Sequence, residues 1–148
     1  MKVKCVLSIV LLMFFAFGCK QSSDTVVFHK SHEPKKQEAP FSDVVESHGF
    51  LFLSGQVGID HKTRTLVAGG IEAETKQCIE NIKAVLEHHG SSLDNVVKCT
   101  VILRNIEDFA EFNKIYEGYF PNKPARTTFA ASGLAVNASI EIDVIASK

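Results

Sequence analysis

The chain has 148 residues, of which 45% are hydrophobic, so it is long enough for one ordinary domain with its own core. Its 16 basic and 17 acidic residues give a formal net charge of -1, and no run of Lys or Arg forms a stripe. Nucleic-acid binding needs several phosphate contacts from basic side chains, so the composition argues against a nucleic-acid partner.

The first 19 residues are typical of an export signal. A basic start, MKVK, precedes the apolar run CVLSIVLLMFFAF, which is too short for a comfortable membrane span. Gly18-Cys19 then leads into polar KQSSD, as a bacterial lipoprotein signal does where its Cys is lipidated. Ala16 and Phe17 depart from the usual residues before that Cys, so a secreted form and an uncleaved anchor stay open. We therefore expect an exported protein, either a bacterial lipoprotein anchored through Cys19 or a secreted one.

Residues 20–40 are polar, rich in Ser, Lys and His, and contain Pro34 and Pro40. Such a segment cannot bury enough apolar surface to order itself, so it predicts a flexible linker before a domain at residues 41–148. His29 and His32 lie in this linker, and we expect them to be solvated rather than metal ligands. No Cys or His spacing in the chain is typical of zinc, so no metal is expected.

Two cysteines fall within the domain, Cys78 and Cys99. Both lie on predicted apolar faces, which is typical of small buried residues. An oxidising compartment permits a disulfide between them, but the sequence leaves open whether they meet.

Hydrophobic periodicity predicts five strands and two helices in the order β-β-α-β-α-β-β. The first two strands form a hairpin turned at His48-Gly49, and the first helix ends near His89, before Gly90. In the third strand, Val97 and Cys99 share one face with Val101 and Leu103. The predicted bounds are 43–47 and 50–60 for the hairpin, 71–88 and 109–120 for the helices, and 96–104, 126–131 and 139–146 for the later strands.

Two helices can cover only one face of a mixed sheet, so the class is α+β with one face of the sheet uncovered. An uncovered face exposes a large, partly apolar patch. A homo-oligomer that packs such faces together is the economical solution.

The last two predicted strands carry an Arg and two carboxylates. Because side chains alternate along a strand, we expect Arg126, Thr128, Glu141 and Asp143 all to face away from the helices, toward the oligomer interface. An Arg offers a fork matched to a carboxylate, and a nearby Glu can handle a proton. This predicts a pocket for a small carboxylic acid with acid-base chemistry beside it. On spacing alone, a structural Arg-Glu ion pair between subunits is an equal alternative.

The domain resembles the RidA/YjgF/UK114 family of reactive-intermediate deaminases. The resemblance is carried by PARTTF, SGL and IEI in the last 25 residues, and by three earlier stretches in matching order and spacing: LSGQVGID, IENIKAVLEHHGSSLDNVVKCTVIL and DFAEFNKIYEGYF. It implies a chorismate-mutase-like α+β fold and a homotrimer with clefts between its subunits.

The resemblance also implies hydrolysis of imines and enamines such as 2-aminoacrylate to 2-keto acids and ammonia, without a cofactor. Arg126 matches the residue that clamps the substrate carboxylate, and Glu141 matches the one that positions water and shuttles a proton. Gly55, Thr128 and Asn113 match residues that line or adjoin the pocket.

Two departures from the family bear on this expectation. Phe41 stands where a Tyr is common in the family. We expect its ring to wall the cleft without the hydroxyl, and the activity to be reduced or shifted. The export signal separates the protein from the usual source of such substrates. Three alternatives are a non-catalytic module that binds small carboxylates through Arg126, an endoribonuclease-type relative, and a structural or chaperone-like surface protein.

Overall fold

The computed structural model describes residues 25–148. The predicted signal, its Cys19 and the start of the predicted linker lie outside the described residues. Within residues 25–148, no helix is long and apolar enough to cross a membrane.

One mixed sheet forms the framework of the fold. Its strands run in the order β1-β2-β3-β9-β7-β8, β4 also pairs with β9, and only β7 and β8 are parallel to each other. Strands β5 and β6 form a separate small hairpin. The bounds are β1 Val27–His29, β2 Val44–Ser47, β3 Phe50–Leu53, β4 Gln56–Val57, β5 Ile59–Asp60, β6 Thr65–Leu66, β7 Val96–Leu103, β8 Ala125–Ala130 and β9 Ile140–Ser147.

Two helices, α1 (Gly70–His88) and α2 (Phe109–Tyr119), pack on one face of the sheet, as predicted. The core lies between them and the sheet, and it includes the fully buried Ile82, Phe112, Val101 and Ile142. The hairpin turn at His48-Gly49 is confirmed, since both residues adopt a positive φ. Helix α1 ends at His88, and Gly90 follows in the left-handed region, as expected.

The predicted flexible linker is wrong for the part that the structure describes. Strand β1 pairs antiparallel with β2, a short 3-10 helix spans Pro34–Lys36, and Ser31 is buried. Local composition suggested disorder because the segment has few apolar residues. The order comes from hydrogen bonds to a neighbouring strand, which composition does not encode.

The prediction that Arg126 and Thr128 share a face with Glu141 and Asp143 is also wrong. In the parallel pair, Arg126 lies beside buried Cys99 and Thr128 beside buried Val101, so both are on the helix face. Glu141 and Asp143 alternate with the buried Ile140, Ile142 and Val144, and they lie on the opposite face.

Val97 does not share the face of Cys99 either. A register shift between Val96 and Lys98 inserts a bulge that leaves Val97 exposed, and Val96 is buried instead. A bulge adds one residue to the strand, so simple alternation fails on one side of it.

The face opposite the helices is left uncovered by residues 25–148. It presents Phe28, Phe50, Phe52 and Phe129, which are 70%, 40%, 42% and 45% exposed. Ile145 lies beside Phe52 in the register. This apolar area fits the expectation that the face packs against another protein surface.

Glu74 of α1 joins the helix to the start of β9. Its carboxylate is buried and accepts hydrogen bonds from the backbone N–H of Ser139 at 2.7 Å and from the Ser139 hydroxyl at 2.8 Å. Gly58 lets α1 lie close to the chain after β4, because a Cβ at Gly58 would lie 2.6 Å from the Glu74 Cα. The contact therefore fixes α1, β9 and the chain after β4 together.

We predict that Glu74→Ala lowers the free energy of unfolding by about 2–4 kcal/mol, because it leaves a buried N–H without a partner. Urea unfolding followed by circular dichroism measures this loss. The matched variant Glu72→Ala removes an exposed carboxylate two residues earlier in α1 that pairs with Lys76. It should leave the unfolding midpoint nearly unchanged, and an equal loss in both variants contradicts the special role of Glu74.

Candidate functional site

Arg126 lies on the edge strand β8 and is held against the aromatic side chains of α2. Its guanidinium carbon is 4.5 Å from the ring centre of Tyr116, 5.2 Å from that of Phe112 and 5.6 Å from that of Phe109. Such contacts stabilise a cation electrostatically and fix its orientation without neutralising its charge. A planar cation fixed in this way can still offer its N–H groups to a carboxylate.

Tyr116 is itself anchored in the core. Its hydroxyl donates to the Cys99 Sγ at 3.3 Å, and burial raises the pKa of both the Tyr116 phenol and the Cys99 thiol. Both groups therefore stay neutral, and the only full charge in this group of side chains is that of Arg126. The predicted aromatic stripe of α2 is core, as expected, but it is also the support for the guanidinium.

A cleft of about 450 Å³ opens beside Arg126, and we call it the Arg126 cleft. Asn113 lines it, as the resemblance implied, and donates to Glu117 Oε1 at 2.7 Å. The other lining residues are Tyr116, Glu117, Phe120, Pro121, Lys123 and Pro124. Thr128 is two residues beyond Arg126 on the same face, and its buried hydroxyl has no hydrogen-bond partner among the described residues.

Glu141 lies in a second cleft of about 500 Å³, which we call the Glu141 cleft. Gly55 borders it just before β4, and a Cβ on Gly55 would lie 2.1 Å from the Glu141 Oε1. Only glycine leaves room for the carboxylate here. Phe41 forms an apolar wall of the same cleft and is half exposed. Three predicted site residues, Gly55, Phe41 and Glu141, are therefore brought together.

Burial raises the pKa of the Glu141 carboxyl, and the neighbouring Asp143 carboxylate raises it further. Burial also raises the pKa of Asp143, although a hydrogen bond from Thr100 and the charge of Lys98 act against this. A carboxyl with a raised pKa exchanges a proton more readily near neutral pH, as a general acid or base must.

The Arg126 and Glu141 side chains lie in separate clefts and on opposite faces of the sheet. Arg126 and Asn113 belong to the helix face, and Glu141 belongs to the uncovered face. One chain therefore does not bring the guanidinium and the carboxylate to a single substrate.

The sequence did not single out several residues of the Glu141 cleft. Lys36, Gln56, His61 and Arg64 line it, and Lys36 also forms an ion pair with the buried Asp43. Lys36 belongs to the segment predicted as linker, so no sequence signal placed it near the site. Gln56 directly follows Gly55 in the LSGQVGID stretch, and this adjacency is the sequence feature that could have placed Gln56 at the cleft.

The described residues contain no cluster of three or more His, Cys, Asp or Glu side chains arranged to hold a metal ion. Cys78 and Cys99 are both buried free thiols. The Cys78 thiol donates to the backbone oxygen of Gln56 at 3.0 Å. The two cysteines are therefore structural residues, and no disulfide links them.

Residues 30–148 match the protein family described as Endoribonuclease L-PSP. A RutC family protein of Pyrococcus horikoshii is 45% identical over 114 residues, which are 76% of this chain and 90% of the relative. The 2-iminobutanoate/2-iminopropanoate deaminase of Mus musculus is 38% identical over 108 residues, 72% of this chain and 80% of the relative.

Solved structures agree with the fold. The yeast protein YEO7 superposes with a TM-score of 0.78 and 37% identity, over 84% of this chain and 99% of the yeast chain. Escherichia coli TdcF, crystallised with bound serine, superposes with a TM-score of 0.70 and 26% identity, over 74% of this chain and 88% of TdcF.

We predict that Asp143→Asn lowers the pKa of Glu141, because it removes the neighbouring negative charge, while burial keeps that pKa above the ordinary value. Carbon-13 NMR of labelled Glu carboxyls measures the titration. Because the pKa of Glu141 is raised in the folded state, that state binds more protons than the unfolded state as pH falls from neutral through this pKa. The free energy of unfolding should therefore rise over that range. An unchanged Glu141 titration in Asp143→Asn contradicts the electrostatic coupling.

Proposed function

The chain belongs to the RidA/YjgF family, the one described as Endoribonuclease L-PSP, and we propose that it hydrolyses reactive 2-imino and 2-enamino acids. The products are a 2-keto acid and ammonia, and no cofactor takes part. One relative carries the name 2-iminobutanoate/2-iminopropanoate deaminase, and another binds serine, a small amino acid. The features that support this reaction here are an Arg126 guanidinium held against Tyr116, which we propose binds the substrate carboxylate, and a Glu141 whose pKa is raised.

The observation that carries the proposal is that the Arg126 guanidinium and the Glu141 carboxyl lie in separate clefts and on opposite faces of one sheet. The family is homotrimeric, and we infer the same assembly here, with the Arg126 cleft of one subunit meeting the Glu141 cleft of the next. The uncovered phenylalanine face supplies apolar area for that packing. Each complete site then contains Arg126 from one copy and Glu141 from another.

The reaction follows from this arrangement. Arg126 binds the substrate carboxylate through two N–H groups and fixes the neighbouring C=N carbon. Glu141 takes a proton from water as the oxygen attacks that carbon, and the imine nitrogen gains a proton. In the resulting carbinolamine, Glu141 accepts the hydroxyl proton and transfers a proton to the amine nitrogen; the C–N bond breaks as the C=O bond forms, and ammonia leaves. An enamine enters the same route after protonation at its methylene carbon.

The acidic balance of the chain argues against RNA as the substrate, although the family description names an endoribonuclease activity. With 16 basic and 17 acidic residues and no basic stripe, the surface lacks an electrostatic path for a polyanion. Phe41 in place of a tyrosine removes a hydroxyl from the Glu141 cleft, which favours a lower rate or a non-catalytic binding module as the second candidate.

We predict that the chain releases pyruvate from enzymatically generated 2-aminoacrylate faster than the spontaneous background. Arg126→Ala should reduce kcat/KM by about 100-fold or more, because the carboxylate clamp is lost. Arg104→Ala is the matched control, since the Arg104 guanidinium donates to Asn137 and lines neither cleft. Absence of turnover with Arg126-dependent keto-acid binding supports the binding module instead.

Mixing inactive variants in the same assay tests the division of the site between subunits. Arg126→Ala and Glu141→Gln trimers, each inactive, should regain part of the activity after they are denatured and refolded together. Mixed trimers contain at least one cleft with both native residues. No recovery from a mixture that demonstrably forms mixed trimers rules out a site shared between subunits.

We further propose that the chain is exported and anchored by lipid on Cys19, because the basic start, apolar run and Gly-Cys step precede the matched region. A bacterial host should place the full chain in the membrane fraction, labelled by radioactive palmitate. Cys19→Ser should abolish the label, and label that persists in this variant excludes Cys19 as the attachment point.

A further inference from the structure

Four histidine rings make one continuous set of contacts, which we call the stack, where the N-terminal segment meets the end of α1. The His32 and His88 rings are stacked, the His29 and His89 rings are tilted, and His88 meets His89 edge-on. His29 and His32 belong to residues 29–36, which we call the strap, while His88 ends α1 and His89 follows it. The ring centroids are 4.6 Å apart for His29 and His89, 4.8 Å for His32 and His88, and 5.1 Å for His88 and His89. The expectation that His29 and His32 are solvated linker residues is therefore wrong, since both attach the strap to the helix.

The strap is also joined to Asp43, which is 2% exposed. The Asp43 backbone N–H donates to the His29 carbonyl at 2.9 Å, and its carboxylate accepts hydrogen bonds from Lys36 and Ser31. These bonds to Lys36 and Ser31 hold the pKa of Asp43 below its usual value against the effect of burial. Asp43 is thus an ionised residue whose partners come from the strap.

Through Lys36 the strap reaches the Glu141 cleft. The Lys36 Nζ donates to the Gln56 side-chain oxygen at 3.3 Å and lies 5.9 Å from the centre of the Phe41 ring. Lys36, Gln56 and Phe41 all line that cleft. The position of the strap and the shape of the cleft wall are therefore coupled.

The charges around the stack are uneven. His29 lies 3.4 Å from Glu46, which also pairs with Lys148, and His32 lies 3.6 Å from Glu33. In the described part of the chain, neither His88 nor His89 forms an ion pair with a carboxylate. Each strap histidine thus has a carboxylate neighbour within ion-pair distance, whereas the helix histidines in contact with them have none among the described residues.

Two groups facing the strap resist protonation. Burial lowers the pKa of His89, and the charges of His29, His88 and His32 lower it further, against the pull of Asp43 and of the helix C-terminus. Burial likewise lowers the pKa of His61, with Lys36 and Arg64 acting in the same direction and Glu33 and Asp43 in the other.

We propose that the strap is a positioning element for the Glu141 cleft, held in place only while the stacked histidines are neutral and released by mild acid. A proton gained by His89 in acid places a positive charge with no ion-pair partner among the described residues 4.6 Å from the His29 ring and 5.1 Å from the His88 ring, and like charges at that distance repel. Release withdraws Lys36 and loosens Phe41, while Glu141 and Gly55 stay on the sheet. Substrate binding should weaken more than the chemical step, so KM should rise more than kcat falls. Only this last consequence rests on the proposed function.

Hydrogen exchange followed by mass spectrometry tests the proposal on the full assembly without any substrate. Amides of residues 29–36, corrected for their intrinsic exchange rates, should lose at least about tenfold protection between about pH 7.5 and about pH 5.5. Amides of residues 75–86 in the middle of α1 should keep theirs. Equal strap protection at the two pH values overturns the proposal.

The double variant His88→Gln/His89→Gln keeps polar side chains at the helix end that cannot become charged. Its strap should stay protected at the lower pH, and its KM should no longer rise in acid. If the strap of the double variant is unprotected even at the higher pH, the single variants His88→Gln and His89→Gln are tested instead. His48→Gln, in the β2–β3 turn, is the matched control and should release the strap as the native chain does. Identical acid release in the double variant and the native chain overturns the role of the stack.

Exchange and hydrolysis separate this inference from the proposed function. Acid release of the strap in a chain that turns over no imino acid leaves the inference standing and removes the enzymatic function. If the strap stays protected in acid and the chain hydrolyses imino acids with a KM independent of pH, the inference is removed and the enzymatic function stands.

Discussion

Strand β9 lies between β3 and β7, and the alternation of its side chains decides what each face of the sheet can do. Ile140, Ile142 and Val144 point into the core beneath the helices, so Glu141 and Asp143 must point the other way. A shift of one residue would bury two carboxylates and expose the apolar row. The strong preference for burying that row therefore fixes the direction of the acidic pair.

The same constraint determines the surroundings of Glu141 in its cleft, and with them the pKa of its carboxyl. A carboxylate on the central strand has neighbours on both sides, and here the chain before β4 passes so close that a side chain at Gly55 would displace the Glu141 carboxylate. Burial and Asp143 then raise the pKa of Glu141. The chemical property of the residue thus follows from its place in the sheet.

Much of this fold could be predicted because its pattern is local. Helix α1 and strands β2 and β9 have bounds within one residue of those predicted from apolar spacing. The single strand predicted at 50–60 is wrong, since that stretch breaks into β3, β4 and β5. Strand β8 could not be oriented in the same way. Its sequence, ARTTFA, has no apolar alternation, and only its register with β7 shows that Arg126 lies beneath α2. Gly55, Phe41 and Glu141 were grouped by the family resemblance, whereas Lys36 and the strap depend on contacts distant in sequence.

The burial of the two thiols determines how the folded chain reacts with oxidants. Burial raises the pKa of both Cys78 and Cys99, so neither forms the thiolate that attacks disulfides or reacts with oxidants. Once folded, residues 25–148 therefore present no reactive thiol to an oxidising medium, and no disulfide links their two cysteines. Before folding, both sulfurs are accessible and reactive, so the vulnerable period is the interval between synthesis and the closing of α1 and α2 over the sheet.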